Sequence, residues 1–113
     1  MKFRLLIALF AALLTPTSIL AASKKGNVKT GHELFAAHCQ MCHGDRGQGN
    51  PVMGRALGAK IPNLGSKKVQ SLTDAQIRGV IEHGHIKMPP VQGLPASEID
   101  NVIAFVRTLP QKK

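Results

Sequence analysis

The stretch His38–Gly44, "HCQMCHG", holds both cysteines of the chain, three positions apart, with a histidine directly after the second. Three chemistries use such a grouping: a redox disulfide pair, part of a zinc site, and attachment of haem. A redox pair of the thioredoxin kind needs a strand before its C-x-x-C and a βαβ surround. Here a helical pattern leads in and no strand pattern of useful length follows. Zinc asks for four Cys or His ligands, and only His83 or His85 is left to complete Cys39, Cys42 and His43, without the spaced distant pair that normally faces a C-x-x-C. Covalent haem needs C-x-x-C-H itself. Residues i and i+3 share a face of a helical turn, so both sulfurs reach the vinyl groups along one porphyrin edge. His43 then lies under the ring and presents Nε2 to the iron. The haem reading is the one the residues favour.

The rest of the chain supports an exported, cofactor-filled domain. Its 113 residues make at most one ordinary domain. Lys2 and Arg4 precede the unbroken apolar run Leu5–Leu14, followed by "TPTS" and the small residues of "ILAAS". That is the order of a secretory signal, with cleavage expected after Ala21 or Ala22 and no cysteine nearby to carry a lipid. Even Leu5–Leu20 is short for a spanning helix, which needs about 20 apolar residues. Loss of Lys2 and Arg4 lowers the formal net charge from +9 to +7. Only Phe35 and Phe105 remain as aromatics beyond the signal, and the chain has no Trp or Tyr. Small domains have marginal cores in any case, and two cysteines cannot build a disulfide framework, so a buried cofactor is expected to fill the interior. Export and the absence of a recognition motif argue against nucleic acid. The basic balance points to acidic partners or an anionic surface.

The expected organisation is a signal over 1–22, a flexible basic lead-in over 23–29, a domain over 30–110 and a basic tail over 111–113. Thr30–Cys42 reads as a helix, with Thr30 and Glu33 as a capping box. His43–Gly65 carries six glycines after His43, plus Pro51 and Pro62, and reads as one irregular loop, a length normally reserved for function. A second helix starts at Thr73, where Gln76 completes a capping box and Leu72 and Ile77 form a staple. It stops at Gly84. After a loop broken by Pro89 and Pro90, a last helix runs from Pro95–Ser97 to about Leu109, with Ile99, Val102, Ile103 and Val106 on one face.

With these elements in place, the chain resembles the class I monohaem cytochromes c of bacterial, periplasmic type over nearly its whole mature length. In that family a glycine and an aromatic precede the haem motif by eight and four residues, where Gly31 and Phe35 stand, and pack on the terminal helix, here through Val102 and Phe105. "CHG", a later "PNL" and the "MP" pair are also similar. The resemblance implies an all-α small cytochrome c fold, three to four short helices and long loops around one covalent haem c. It implies Met88 of "KMPP" as the second axial ligand, with Met53, His83 and His85 as rivals. It also implies a loop-proline carbonyl as hydrogen-bond acceptor for His43, Pro62 or else Pro51. Ile61, Leu64, Ile81, Val91 and Leu94 are expected to wall the haem, and Arg55, Lys60 or Asn63 to meet its propionates.

The implied role is non-enzymatic electron transport: a monomeric carrier meeting redox proteins with acidic docking patches, such as a membrane-bound oxidase or dehydrogenase. Lys60, Lys67, Lys68 and Lys87 are candidates for guiding that encounter. Two other roles stay open on sequence grounds, a fixed subunit of an oxidoreductase and a ligand-binding site opened by displacement of Met88.

Overall fold

The computed structural model describes residues 25–109. The signal over 1–22 and the tail over 111–113 lie outside the described residues. The fold is all-α, as expected, but the described residues form six helical segments where three or four were anticipated: α1 (Val28–His38), α2 (Gln40–His43), α3 (Pro51–Leu57), α4 (Lys67–Gln70), α5 (Asp74–His83) and α6 (Ala96–Thr108). The one β feature among the described residues is an isolated antiparallel bridge between His85 and Met88.

Helix α1 starts earlier than its sequence pattern suggested. Asn27, not Thr30, is the N-cap: its Oδ1 accepts from the Thr30 amide at 3.0 Å. The Asn27 amide in turn donates to Oδ1 of Asn101 on α6 at 2.7 Å, so a tertiary bond selects which residue caps. At the other end α1 stops at His38, and Cys39 leaves helical geometry at φ −121° before α2 begins.

Helices α1 and α6 cross in direct backbone contact. A Cβ on Gly31 would overlap the carbonyl of Asn101 on α6, so no residue but glycine allows this approach. One turn on, Phe35 is almost fully buried and lies against Phe105 of α6, ring centroids 5.0 Å apart and tilted by 55°, a geometry aromatic pairs favour. The buried core is Phe35 with Ile77 and Ile81 of α5, the α6 face Ile99, Val102, Ile103, Phe105 and Val106, and Leu109. The stripe expected on α6 is the stripe that is buried.

The stretch 43–65, expected to be one irregular loop, contains α3. Asn50 caps it, accepting from the amides of Val52 and Met53 at 3.0 and 3.3 Å. Pro51 occupies the first turn and Gly58, at φ +63°, ends it. Asn50 also donates through Nδ2 to the Met41 carbonyl at 3.0 Å, while its amide donates to the Cys42 carbonyl. One side chain thus starts α3 and ties it to α2.

Helix α5 forms as its pattern indicated: Thr73 and Gln76 make a reciprocal capping box. Two arginines lock it to α6. Arg78 pairs with Asp100, and Arg107 donates to Asp74 Oδ1 and to the carbonyls of Gln70 and Leu72. The Gln70 amide nitrogen bridges the carbonyls of Leu64 and Val106, each at 2.9 Å.

Two substitutions test these contacts. Gly31→Ala forces the crossing helices apart and is expected to cost about 3 kcal/mol, lowering the thermal midpoint of the holoprotein by roughly 12 °C or more; circular dichroism reads this directly, and an unchanged midpoint would refute the crossing. Asn50→Ala should cost ~1–2 kcal/mol in chemical denaturation. Asn50→Asp keeps the cap oxygen and loses the donor to Met41, so its cost should be roughly half; a loss equal to that of Asn50→Ala would show that the bond to Met41 carries everything and the cap nothing.

Candidate functional site

The turn Cys39–His43 is built by backbone bonding to a single acceptor. The Cys39 carbonyl accepts from the Cys42 amide at 3.2 Å and from the His43 amide at 2.9 Å, and Gly44 closes the turn through Gln40. Both cysteines therefore sit at the two ends of one turn, on chain that α1 has aimed by its crossing with α6. They are free thiols and half-buried, and Cys39 packs on the hydrophobic core.

The electrostatics of this turn separate the three chemistries. Burial, with the neighbouring Cys42 adding to it, pushes the Cys39 thiol up to about 11, so it is neutral at pH 7. Redox-active cysteines need the opposite, a depressed pKa that yields thiolate. Among the described residues no three His, Cys, Asp or Glu side chains come together as a metal-binding group, so Cys39, Cys42 and His43 do not converge as a zinc site does. Two free cysteines at the ends of one turn, Cys39 held as the thiol, remain suited to thioether formation.

His43 is half-buried, and burial lowers its pKa, which keeps the imidazole neutral, the form that binds metal. Its ring lies 6.5 Å from that of Phe35. Nδ1 is buried and has no hydrogen-bond partner. Such an atom costs free energy unless something satisfies it. The bond expected from His43 to the Pro62 carbonyl is not formed, and Pro51 does not supply one either. The surrounding chain is nonetheless close: the Gly49 amide donates to the His43 carbonyl at 2.7 Å, and Gly49, at φ +87°, is pressed against the Ile61 carbonyl, where a Cβ would sit 2.7 Å away. The donor set of two thiols and a neutral imidazole with an unsatisfied ring nitrogen fits a covalently held haem.

Met88 is half-buried in the turn between α5 and α6. His85 and Met88 exchange both backbone bonds, each at 2.9 Å. The rival histidines His83 and His85 are both exposed. Met53 is half-buried on the first turn of α3.

Of the expected wall residues, Ile81 belongs to the core, and Leu64, Val91 and Leu94 pack on it. Ile61 stands apart from this cluster. It lines a cleft of about 490 Å³ with Gly49, Asn50, Gly54, Arg55 and Lys60. Asn63, the third candidate for a propionate, is exposed, and its Oδ1 accepts from the Gly65 amide at 2.9 Å, which orients the side chain. Sequence reasoning missed Asn50, although Asn-Pro followed by Gly58 is a helix start and stop signal. It also missed Gln70 and Arg107, for which no local signal exists.

Comparison with known proteins agrees with this geometry. The family model described as "Cytochrome C oxidase, cbb3-type, subunit III" matches residues 26–106. The solved structure of the KustC0563 c-type cytochrome shares the fold with a TM-score of 0.62 and 27% sequence identity, over 72% of this chain and 98% of that one. A search of curated proteins finds no match. Because the family model spans nearly all of the helical fold and both matches centre on the same haem-type architecture, the chain belongs to the family of cytochrome c oxidase, cbb3-type, subunit III, and is a c-type cytochrome.

Proposed function

We propose that this electron-transfer protein works as a monomeric periplasmic carrier, its single haem c anchored by Cys39 and Cys42 and ligated by His43 and Met88. The observation that carries the reading is the turn Cys39–His43, with two free cysteines followed at once by a half-buried imidazole whose pKa is lowered by burial. Bound haem supplies an Fe(II)/Fe(III) couple, which accepts and returns one electron. Cys39 and Cys42 would hold it through two thioether bonds, and His43 would give the first axial nitrogen. Met88 is favoured as the second ligand because its side chain is half-buried while His83 and His85 are exposed. A thioether ligand stabilises the reduced state and raises the potential, and two protein ligands leave substrate no open position.

Arg55 and Lys60, which share the cleft with Ile61, suit the propionate carboxylates. Ile61, Leu64, Ile81, Val91 and Leu94 would form the apolar walls. The Pro62 carbonyl, which makes no bond to His43 Nδ1 in this structure, is the acceptor we propose for it when haem is bound, since Gly49 is bonded to the His43 backbone and packs against the Ile61–Pro62 segment. The lysines Lys60, Lys67, Lys68 and Lys87 are exposed and suit a redox partner with acidic docking patches. Membership of a cytochrome c oxidase subunit family supports an oxidase as that partner. It also favours a second reading, a fixed subunit of an oxidase complex. Among the described residues no helix is long and apolar enough to cross a membrane.

Optical spectra test the ligation. The oxidised holoprotein should show the sulfur-to-iron charge-transfer band, and Met88→Ala should abolish it while haem stays bound to the denatured chain. The same substitution should lower the midpoint potential by on the order of tenths of a volt, within the roughly 0.8 V that axial ligands span. A band that survives Met88→Ala would eliminate Met88. Haem extracted by acidified organic solvent would eliminate the thioethers. Sizing of the native protein in gentle extracts separates carrier from subunit.

A further inference from the structure

The turn that carries Met88 contains a backbone conformation that its sequence does not favour. Ile86 has φ +53° and is the one non-glycine residue at positive φ among the described residues. It is the first of two residues, Ile86 and Lys87, closing the bridge between His85 and Met88. Two-residue turns of this kind take glycine, asparagine or aspartate where φ is positive. A β-branched residue there is an outlier, because its branched Cβ crowds the backbone. Burial offers no compensation, since Ile86 is 87% exposed.

The strain has no route of escape while the turn is closed. On one side the Gly84 amide is bonded to the Val80 carbonyl at 2.8 Å, and on the other the Val91 amide is bonded to the Ile81 carbonyl at 2.8 Å. Both anchors lie in the last turns of α5. Pro89 and Pro90 fix φ directly after Met88, and the Met88 carbonyl is packed against Gly84, where a Cβ would approach to 2.6 Å. Strained residues persist when their surroundings over-determine them in this way. Opening the His85–Met88 bridge is the motion that lets Ile86 return to negative φ, and it moves Met88.

We propose that Ile86 is a positioning residue that holds the Met88 turn under backbone strain, so that the methionine sulfur leaves the iron more readily than it would from a relaxed turn. The inference rests on the assignment of Met88 as axial ligand and deepens it: the sixth position is closed at rest and exchangeable. A positive-φ residue other than glycine raises the free energy of the closed turn by an amount worth about tenfold in an equilibrium constant. An exogenous ligand that must displace Met88 binds more tightly by that factor.

The test uses ferric holoprotein titrated with imidazole, read by loss of the sulfur-to-iron band. Ile86→Gly relieves the strain and is expected to weaken imidazole binding about tenfold. Ile86→Ala removes the same exposed side chain and its branch but keeps a Cβ at positive φ, so it should bind imidazole more weakly than the native protein and more tightly than Ile86→Gly, while Ile86→Val should match the native protein. Carbon monoxide binding to the ferrous protein should slow most in Ile86→Gly. Equal affinities for the glycine and alanine variants would overturn the inference while leaving Met88 as ligand. A native protein without the band would remove the Met88 assignment, and the inference with it.

Discussion

The contact on which the molecule depends is the backbone crossing of α1 over α6. Gly31 rests on the Asn101 carbonyl with no room for a side chain, and this close approach buries Phe35 against Phe105. Asn27 and Asn101 fasten the start of α1 to the same partner. The end of α1 is thereby fixed in space, and the end of α1 is where Cys39 begins the haem-binding turn. A site that must hold a rigid planar group gains from a rigid approach to it, because anchoring atoms misplaced by a fraction of an ångström strain every bond they make.

The same economy explains the thin core. Among the described residues nine buried apolar side chains, two of them aromatic, cluster around α1, α5 and α6. The segment from Gly44 to Gly65 adds little apolar burial of its own and is held by hydrogen bonds, such as Leu64 to Gly47 at 2.7 Å and Gly49 to His43 at 2.7 Å. Burial near the motif also sets its chemistry. It raises the Cys39 thiol and lowers the His43 imidazole, because low polarity disfavours the charged form of each. Both shifts favour the neutral form, the thiol at Cys39 and an imidazole at His43 able to donate a lone pair.

Legibility from sequence followed the range of the interaction. The Thr73–Gln76 capping box, the stop at Gly84 and the buried face of α6 involve residues within a few positions of one another, and all were readable. Helix α3 was equally local, with Asn50, Pro51 and Gly58 in their usual places; the abundance of glycine around it masked the signal. The start of α1 was not readable, since Thr30 offers a good local cap and Asn27 prevails only through its bond to Asn101, 74 residues away. The Arg107 fork onto Asp74, Gln70 and Leu72 is likewise a long-range construction.

By itself the sequence determined that Cys39, Cys42 and His43 lie within five positions of one another, close enough for a single backbone turn to bring them together. It also determined the helical class, through periodicity that any all-α packing must bury. Only the tertiary structure decided that Arg55 and Lys60 share a cleft with Ile61, that His83 and His85 face solvent, and that Ile86 is strained. Those outcomes depend on chain segments distant in sequence meeting, and on anchors at both ends of a turn, neither of which a local pattern encodes.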